Sequence, residues 1–169
     1  MSNKVVFLCT DPRESFLSFA SQSHTKAYYE WTKKVFALKN IKAECREYHE
    51  LYGEIEEDCE QLFQDEKGQL LLLYVQSDRQ TLIEKIFQSG NLVIMGLPGS
   101  RTEFEKIFMT IVPWKNKVMF LWGNHIGRDE SYIKKLSRDC MIREEQFVQF
   151  EVWKRNLNIK KLPLFCGSL

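Results

Sequence analysis

Four short clusters carry most of the residues able to do chemistry in this chain. They are Thr10-Asp11-Pro12-Arg13, Ser77-Asp78-Arg79, Gly96-Leu97-Pro98-Gly99-Ser100-Arg101 and Gly123-Asn124-His125. Each directly follows an apolar run, and two of them, Ser77 with Gln80 and Ser100 with Glu103, have the spacing of a helix capping box. A helix N-terminus offers unpaired backbone N–H groups and the positive end of its dipole, so this composition suits an anion. Arg79 and Arg101 would add full charges. The expected ligand-binding residues are therefore Thr10, Arg13, Ser77, Arg79, Gly96, Gly99, Ser100, Arg101, Asn124 and His125. Serine, aspartate and glycine are also what caps and turns require, and that is the simpler account of any single cluster.

The apolar runs have to place these clusters together. Val5–Cys9, Gln69–Gln76, the run Leu92–Leu97 and Lys117–Trp122 are short, continuous and bounded by turn residues, as strands buried on both faces are. Ile41–Tyr48 and Gln146–Trp153 alternate, and are expected as a second strand and a last, edge strand. Between them lie helical patterns. Asp11, Pro12 and Glu14 signal a helix start, and Phe16, Phe19, Ala20, Ala27, Tyr28, Trp31, Val35 and Leu38 form its stripe, with a possible interruption at Ser21–His24. Leu51–Asp65 is an acidic amphipathic segment, read as a solvated helix face. Leu82, Ile83, Ile86 and Phe87 line another helix, ended by Gly90. The helix opened by Ser100 is broken at Pro113, and Tyr132, Ile133, Leu136 and Cys140 line a short one. Five or six strands alternating with helices require crossover connections. The expected fold is a three-layer, doubly wound α/β domain of the Rossmann-like or flavodoxin-like kind, with a mainly parallel sheet of five to six strands. It spans residues 1–169 as a single domain, with 156–169 as an extended tail. In such sheets ligands bind at the carboxyl ends of the strands, where all four clusters fall.

Composition narrows the partners. The chain has 24 basic and 23 acidic residues, a balance that does not call for nucleic acid or an anionic membrane. A basic cluster, Lys154, Arg155, Lys160 and Lys161, is adequately explained as solvated. No stretch approaches membrane-span length, and the N-terminal apolar run is too short for a signal-peptide core. Five cysteines with no C-x-x-C pair do not make a disulfide framework, so a reducing, cytoplasmic setting is expected. Cys9 lies inside a strand and reads as a small hydrophobe, although a Cys9–His125 nucleophile pair across strand ends is conceivable. His24, His49 and His125 have no neighbour at metal-ligand spacing, and no metal site is expected. Neither G-x-x-x-x-G-K-[ST] nor G-x-G-x-x-G occurs, and the turn after the first strand has no glycine.

The succession QLLLLYVQSD, RQTLIEKIFQSG, NLVIMGLPGS, RTEFEKIFMTIV and KVMFLWGN, residues 69–124, resembles the second half of MinD/ParA-type ATPases of the pilus-assembly and septum-site kind. The likeness rests on the element order and on the Leu97-Pro98 and Gly123-Asn124 turns. That family's Walker loop would follow the first strand, where this chain has Thr10-Asp11-Pro12-Arg13-Glu14. The resemblance thus implies a relative without nucleotide hydrolysis, an adaptor or regulator. The run Val93–Pro98 also resembles the flavin-facing strand and loop of flavodoxin-like proteins, again without their phosphate loop. The leading expectation is a non-catalytic interaction or regulatory domain with a protein partner or a second copy of itself. Its contact faces would lie around Tyr28, Trp31, Trp114 and Trp153. The alternative is a small-molecule protein or enzyme that holds a nucleotide or FMN phosphate at the strand ends.

Overall fold

A computed structural model describes residues 4–10, 19–55, 62–63, 69–98, 100–123 and 130–156. Six strands form one sheet: β1 (Val5–Thr10), β2 (Glu44–His49), β3 (Gln69–Val75), β4 (Leu92–Gly96), β5 (Val118–Trp122) and β6 (Phe147–Gln149). Their order is β2-β3-β1-β4-β5-β6 and every pairing is parallel. The expected α/β class and parallel sheet are what the chain adopts. Five α-helices are described: α1 (Phe19–Leu38), α2 (Gln80–Gln88), α3 (Arg101–Ile111), α4 (Glu130–Cys140) and α5 (Phe150–Asn156).

The central strands are apolar throughout because both of their faces are covered. Along β1, Val5, Phe7 and Cys9 face one layer while Val6 and Leu8 face the other. The first layer is α1 and α5, packing Tyr28, Tyr29, Val35, Phe36, Phe150 and Trp153 onto the sheet. The second is α2, α3 and α4, packing residues such as Ile83, Ile86, Phe104, Ile107, Ile133 and Leu136. Right-handed crossovers account for this division. The connection from β1 runs one way across the sheet to β2, whereas those from β3, β4 and β5 run the other way and so lie on the opposite face. The strand whose connection reverses direction, β1, sits between β3 and β4.

Several local expectations need correction. Helix α1 runs unbroken through Ser21–His24. Its buried stripe is Thr25, Tyr28, Tyr29, Thr32, Val35 and Phe36, while Trp31 is 52% exposed and Leu38 84% exposed. The true stripe is two neighbouring helical rows that include two threonines, which an apolar count passes over. Thr32 is tolerated there because its hydroxyl donates to the Tyr28 carbonyl at 2.6 Å. Just past the end of the helix Asn40 takes the left-handed conformation at φ 56°, with the Ile41 N–H bonded to the Phe36 carbonyl.

The alternating segment Gln146–Trp153 is not a long edge strand. Only Phe147–Gln149 pairs with β5, and Phe150 begins α5. Phe150 and Trp153 are three apart, so a helix lays both on the α1 side of the sheet, a burial the extended chain would not give. The Ser77–Gln80 capping box does not form: α2 is preceded by Arg79 without a side-chain cap, and Gln80 Nε2 donates to the Ser77 carbonyl instead. The Ser100 box is present in its main bond, with Ser100 Oγ accepting from the Glu103 N–H at 3.2 Å. The helix start at Asp11–Glu14, most of the acidic segment 51–65 and the tail beyond 156 lie outside the described residues.

Candidate functional site

The strand order brings the described members of the four clusters to one edge of the sheet. Thr10 ends β1, with Ser77-Asp78-Arg79 following β3 on one side and Gly96–Arg101 following β4 on the other; Gly123 follows β5 beyond. Arg13, Gly99, Asn124 and His125 lie outside the described residues, as does the side chain of Thr10. The remainder can be taken from the residues upward.

At Gly96 the sheet and helix α1 approach closely. A Cβ there would stand 2.8 Å from the Thr25 backbone nitrogen, closer than any carbon tolerates. The Gly96 N–H donates to Thr25 Oγ1 at 3.0 Å, so this amide is engaged by α1. The same Thr25 side chain hydrogen-bonds the Cys9 thiol. Burial raises the Cys9 pKa well above its ordinary value, a shift the Thr25 bond only partly offsets. Cys9 is thus a neutral thiol at physiological pH, in the state least suited to the nucleophile role considered for it.

Arg79 and Arg101 both meet carboxylates. Arg79 pairs with Glu50 at 2.5 Å. The Glu50 side chain is 3% exposed, and its other oxygen accepts the Gln76 N–H at 2.8 Å, which ties the end of β2 to the end of β3. A carboxylate buried this deeply needs both partners. Arg101 binds Glu105 along α3 and Asp139 at the end of α4, each at 3.1 Å. Ser100 is occupied as the α3 cap.

Two residue groups at this end of the sheet were not singled out from sequence. Glu50 stands in the sequence Glu47-Tyr48-His49-Glu50, and its burial depends on Arg79, which is 29 positions away along the chain. His49 stacks on Tyr74 with ring centroids 4.1 Å apart, lies against Tyr52, and brings Nε2 to 3.2 Å from Glu47. Burial also raises the Tyr74 pKa, with Cys9 and Glu47 adding to it. The only advance signal was the alternation of β2, which puts Glu47 and His49 on one face. His24 is half-buried in α1. Among the described residues no group of three or more His, Cys, Asp or Glu is arranged to hold a metal ion, and no helix is long and apolar enough to cross a membrane.

Of the aromatic residues expected at a contact face, Tyr28 and Trp153 are core, and Trp114 is stacked on Phe87 at 5.6 Å. Trp31 stands out on the surface.

The class of protein is thereby defined: a doubly wound α/β domain with an all-parallel sheet and its switch point at β1. No family model matches the chain, and no curated protein matches it in sequence.

Proposed function

We propose that this chain is a non-catalytic α/β interaction domain, built on the frame of a nucleotide-binding fold and working through contact with another protein. The observation that carries the reading is the state of the two strand-end arginines. A cation that holds a ligand phosphate has to be available to it, whereas Arg79 is bound to a buried carboxylate and Arg101 to two carboxylates. Gly96 supports the same reading, because its amide, the kind of donor a phosphate cradle uses, is taken up by Thr25. In this reading the arginines and caps hold the rim of the sheet together, and the Leu97-Pro98 and Gly123-Asn124 turns are a structural inheritance of the MinD/ParA-like pattern.

The test is thermal and chemical unfolding in the presence of ATP, GTP, FMN, NAD and inorganic phosphate. No stabilisation is expected with any of them, while Arg79→Ala lowers stability by about 1.5–3 kcal/mol by stranding Glu50. A ligand at a hundredfold excess over its dissociation constant would add about 2.7 kcal/mol. Such a gain, abolished by Arg79→Ala or Arg101→Ala, would overturn the proposal in favour of a nucleotide or flavin site.

A further inference from the structure

Strand β2 lies at the rim of the sheet, hydrogen-bonded on one side only, to β3. Successive residues of a strand turn their N–H and C=O groups to opposite sides. The His49 N–H turns away from β3, because Glu54 Oε2 accepts it at 2.7 Å, and the Glu54 N–H bonds back to the His49 carbonyl at 3.4 Å. On that alternation Glu47 and Cys45, and Ala43 just before the strand, also turn their backbone groups outward. Further back the Ile41 N–H is taken by the Phe36 carbonyl. The open edge is therefore the stretch 43–47, closed off at both ends and centred on Cys45. None of its outward amides has a partner among the described residues, and the Ala43 carbonyl receives only the long contact from the Cys45 thiol at 3.7 Å. Glu44, Cys45, Arg46 and Glu47 are all exposed.

Open edges are commonly blunted by lysines or proline. This one instead carries charges of both signs in a pattern that fits itself. Cys45, Glu47 and His49 share the α1 side of the sheet with Tyr74, which leaves Glu44 and Arg46 on the other face, where they form a half-exposed ion pair. Two copies meeting edge to edge about a two-fold axis run antiparallel, and both faces continue only when residues of like parity stand opposite. With Cys45 on the axis, Glu44 faces the partner's Arg46 and Arg46 faces the partner's Glu44. A step along the strand one way sets Arg46 against the partner's Arg46, and a step the other way sets Glu44 against the partner's Glu44. Like charges directly opposite are destabilising, so the side chains select the register that the open amides also centre on.

We infer that this chain pairs with a second copy of itself through β2, antiparallel about a two-fold axis at Cys45, joining two sheets into one. A strand of another protein would meet the same amides, but a charge pattern complementary to itself and centred on the open stretch is what a second copy requires. The inference does not rest on the reading of the strand-end arginines, because the outer edge of β2 lies at the side of the sheet, away from the switch point at β1.

The test is sedimentation velocity of the intact chain over roughly 1–100 μM, where a concentration-dependent dimer is expected. Arg46→Glu and Glu44→Arg each set like charges opposite one another and should weaken pairing at least about tenfold, while the double exchange should restore it. Cys45→Pro removes the amide at the axis, which points away from β3, and should leave a folded monomer by circular dichroism. A short bismaleimide should link two chains through Cys45, whose Cβ atoms would stand about 4.5–5.5 Å apart, and the product should vanish in Cys45→Ser. A chain that stays monomeric throughout overturns the inference, whether the edge remains bare or takes an extended segment of another protein. A dimer that survives both Arg46→Glu and Cys45→Pro overturns it too, because the contact then lies elsewhere. So does a folded double exchange that fails to recover pairing lost in the single variants.

Discussion

At the scale of single residues, Thr25 does more than its size suggests. Its hydroxyl oxygen accepts the Gly96 N–H and its O–H donates toward the Cys9 sulfur, joining α1 to β4 and β1 at the carboxyl edge of the sheet. Gly96→Ala would press a methyl against the helix backbone, and the helix cannot yield without disturbing Tyr28 and Tyr29 below it. A loss of about 1–3 kcal/mol is expected from urea unfolding. Thr25→Ser, which keeps the hydroxyl, should cost less than Thr25→Val, which leaves the buried Gly96 N–H without an acceptor. Equal stability of Gly96→Ala and the parent would show that the close approach is relieved by a helix shift.

Gln146 works in the same manner at the other end of β5. Its side-chain amide donates to the Lys115 and Val118 carbonyls at 2.6 and 3.0 Å, and its Oε1 accepts the Arg143 N–H. It thereby fixes the chain just before β6. A buried amide with all these bonds made is stabilising only as a complete set.

At the scale of elements, α1 separates burial from hydrophobicity. Phe36 is 2% exposed and packs on the sheet, whereas Leu38, two positions on, is on the far side of the helix. Phe36→Ala should cost about 3–5 kcal/mol. Leu38→Gln should stay within about 0.5 kcal/mol of the parent. Denaturant midpoints for the two variants check this, and a large loss for Leu38→Gln would mean that this face is covered in the native chain. Helix α5 depends on the same layer. Phe150 lies 5.1 Å from the Tyr28 ring, and Trp153 meets Phe7 edge-on at 6.4 Å.

At the scale of the whole molecule, the layer over β1 and β3 buries several weak acids: Cys9, Tyr28, Tyr29 and Tyr74. Burial pushes each of their pKa values up from ordinary values of 9.0 for the thiol and 10.0 for the phenols. Tyr29 also donates to the Arg46 carbonyl, a bond that ionisation would break. Below about pH 8 both folded and unfolded states are neutral at these groups, and their contribution to stability is fully present. Above it the unfolded chain ionises first and binds fewer protons, so stability falls as pH rises. Each group can contribute up to about 1.4 kcal/mol per pH unit. Urea midpoints should therefore be level between about pH 7 and 8, begin to decline as the unfolded thiol ionises, and fall further above about pH 9 as the phenols follow, with a shallower late decline in Tyr28→Phe. A midpoint unchanged to about pH 11 would contradict the linkage.

Sequence alone determined the architecture. Continuous apolar runs such as Leu70–Val75 and Leu92–Met95 are too short and too sharply bounded by turn residues to read as helices, and parallel strands need the intervening helices, so the class follows from local patterns. The Ser100 cap and the Gly90 stop were legible for the same reason, since each is made within a few residues. Tertiary structure decided what depended on distant partners. Arg79 and Arg101 are identical in kind to ligand-binding arginines until Glu50 and Asp139 are brought to them. Phe150 and Trp153 turned helical because the α1 layer offered them burial, and Thr25 and Thr32 entered the core because their hydroxyls found acceptors or donors there. Local spacing fixes which face a residue lies on, but only the folded chain determines whether that face meets another layer, a carboxylate or solvent.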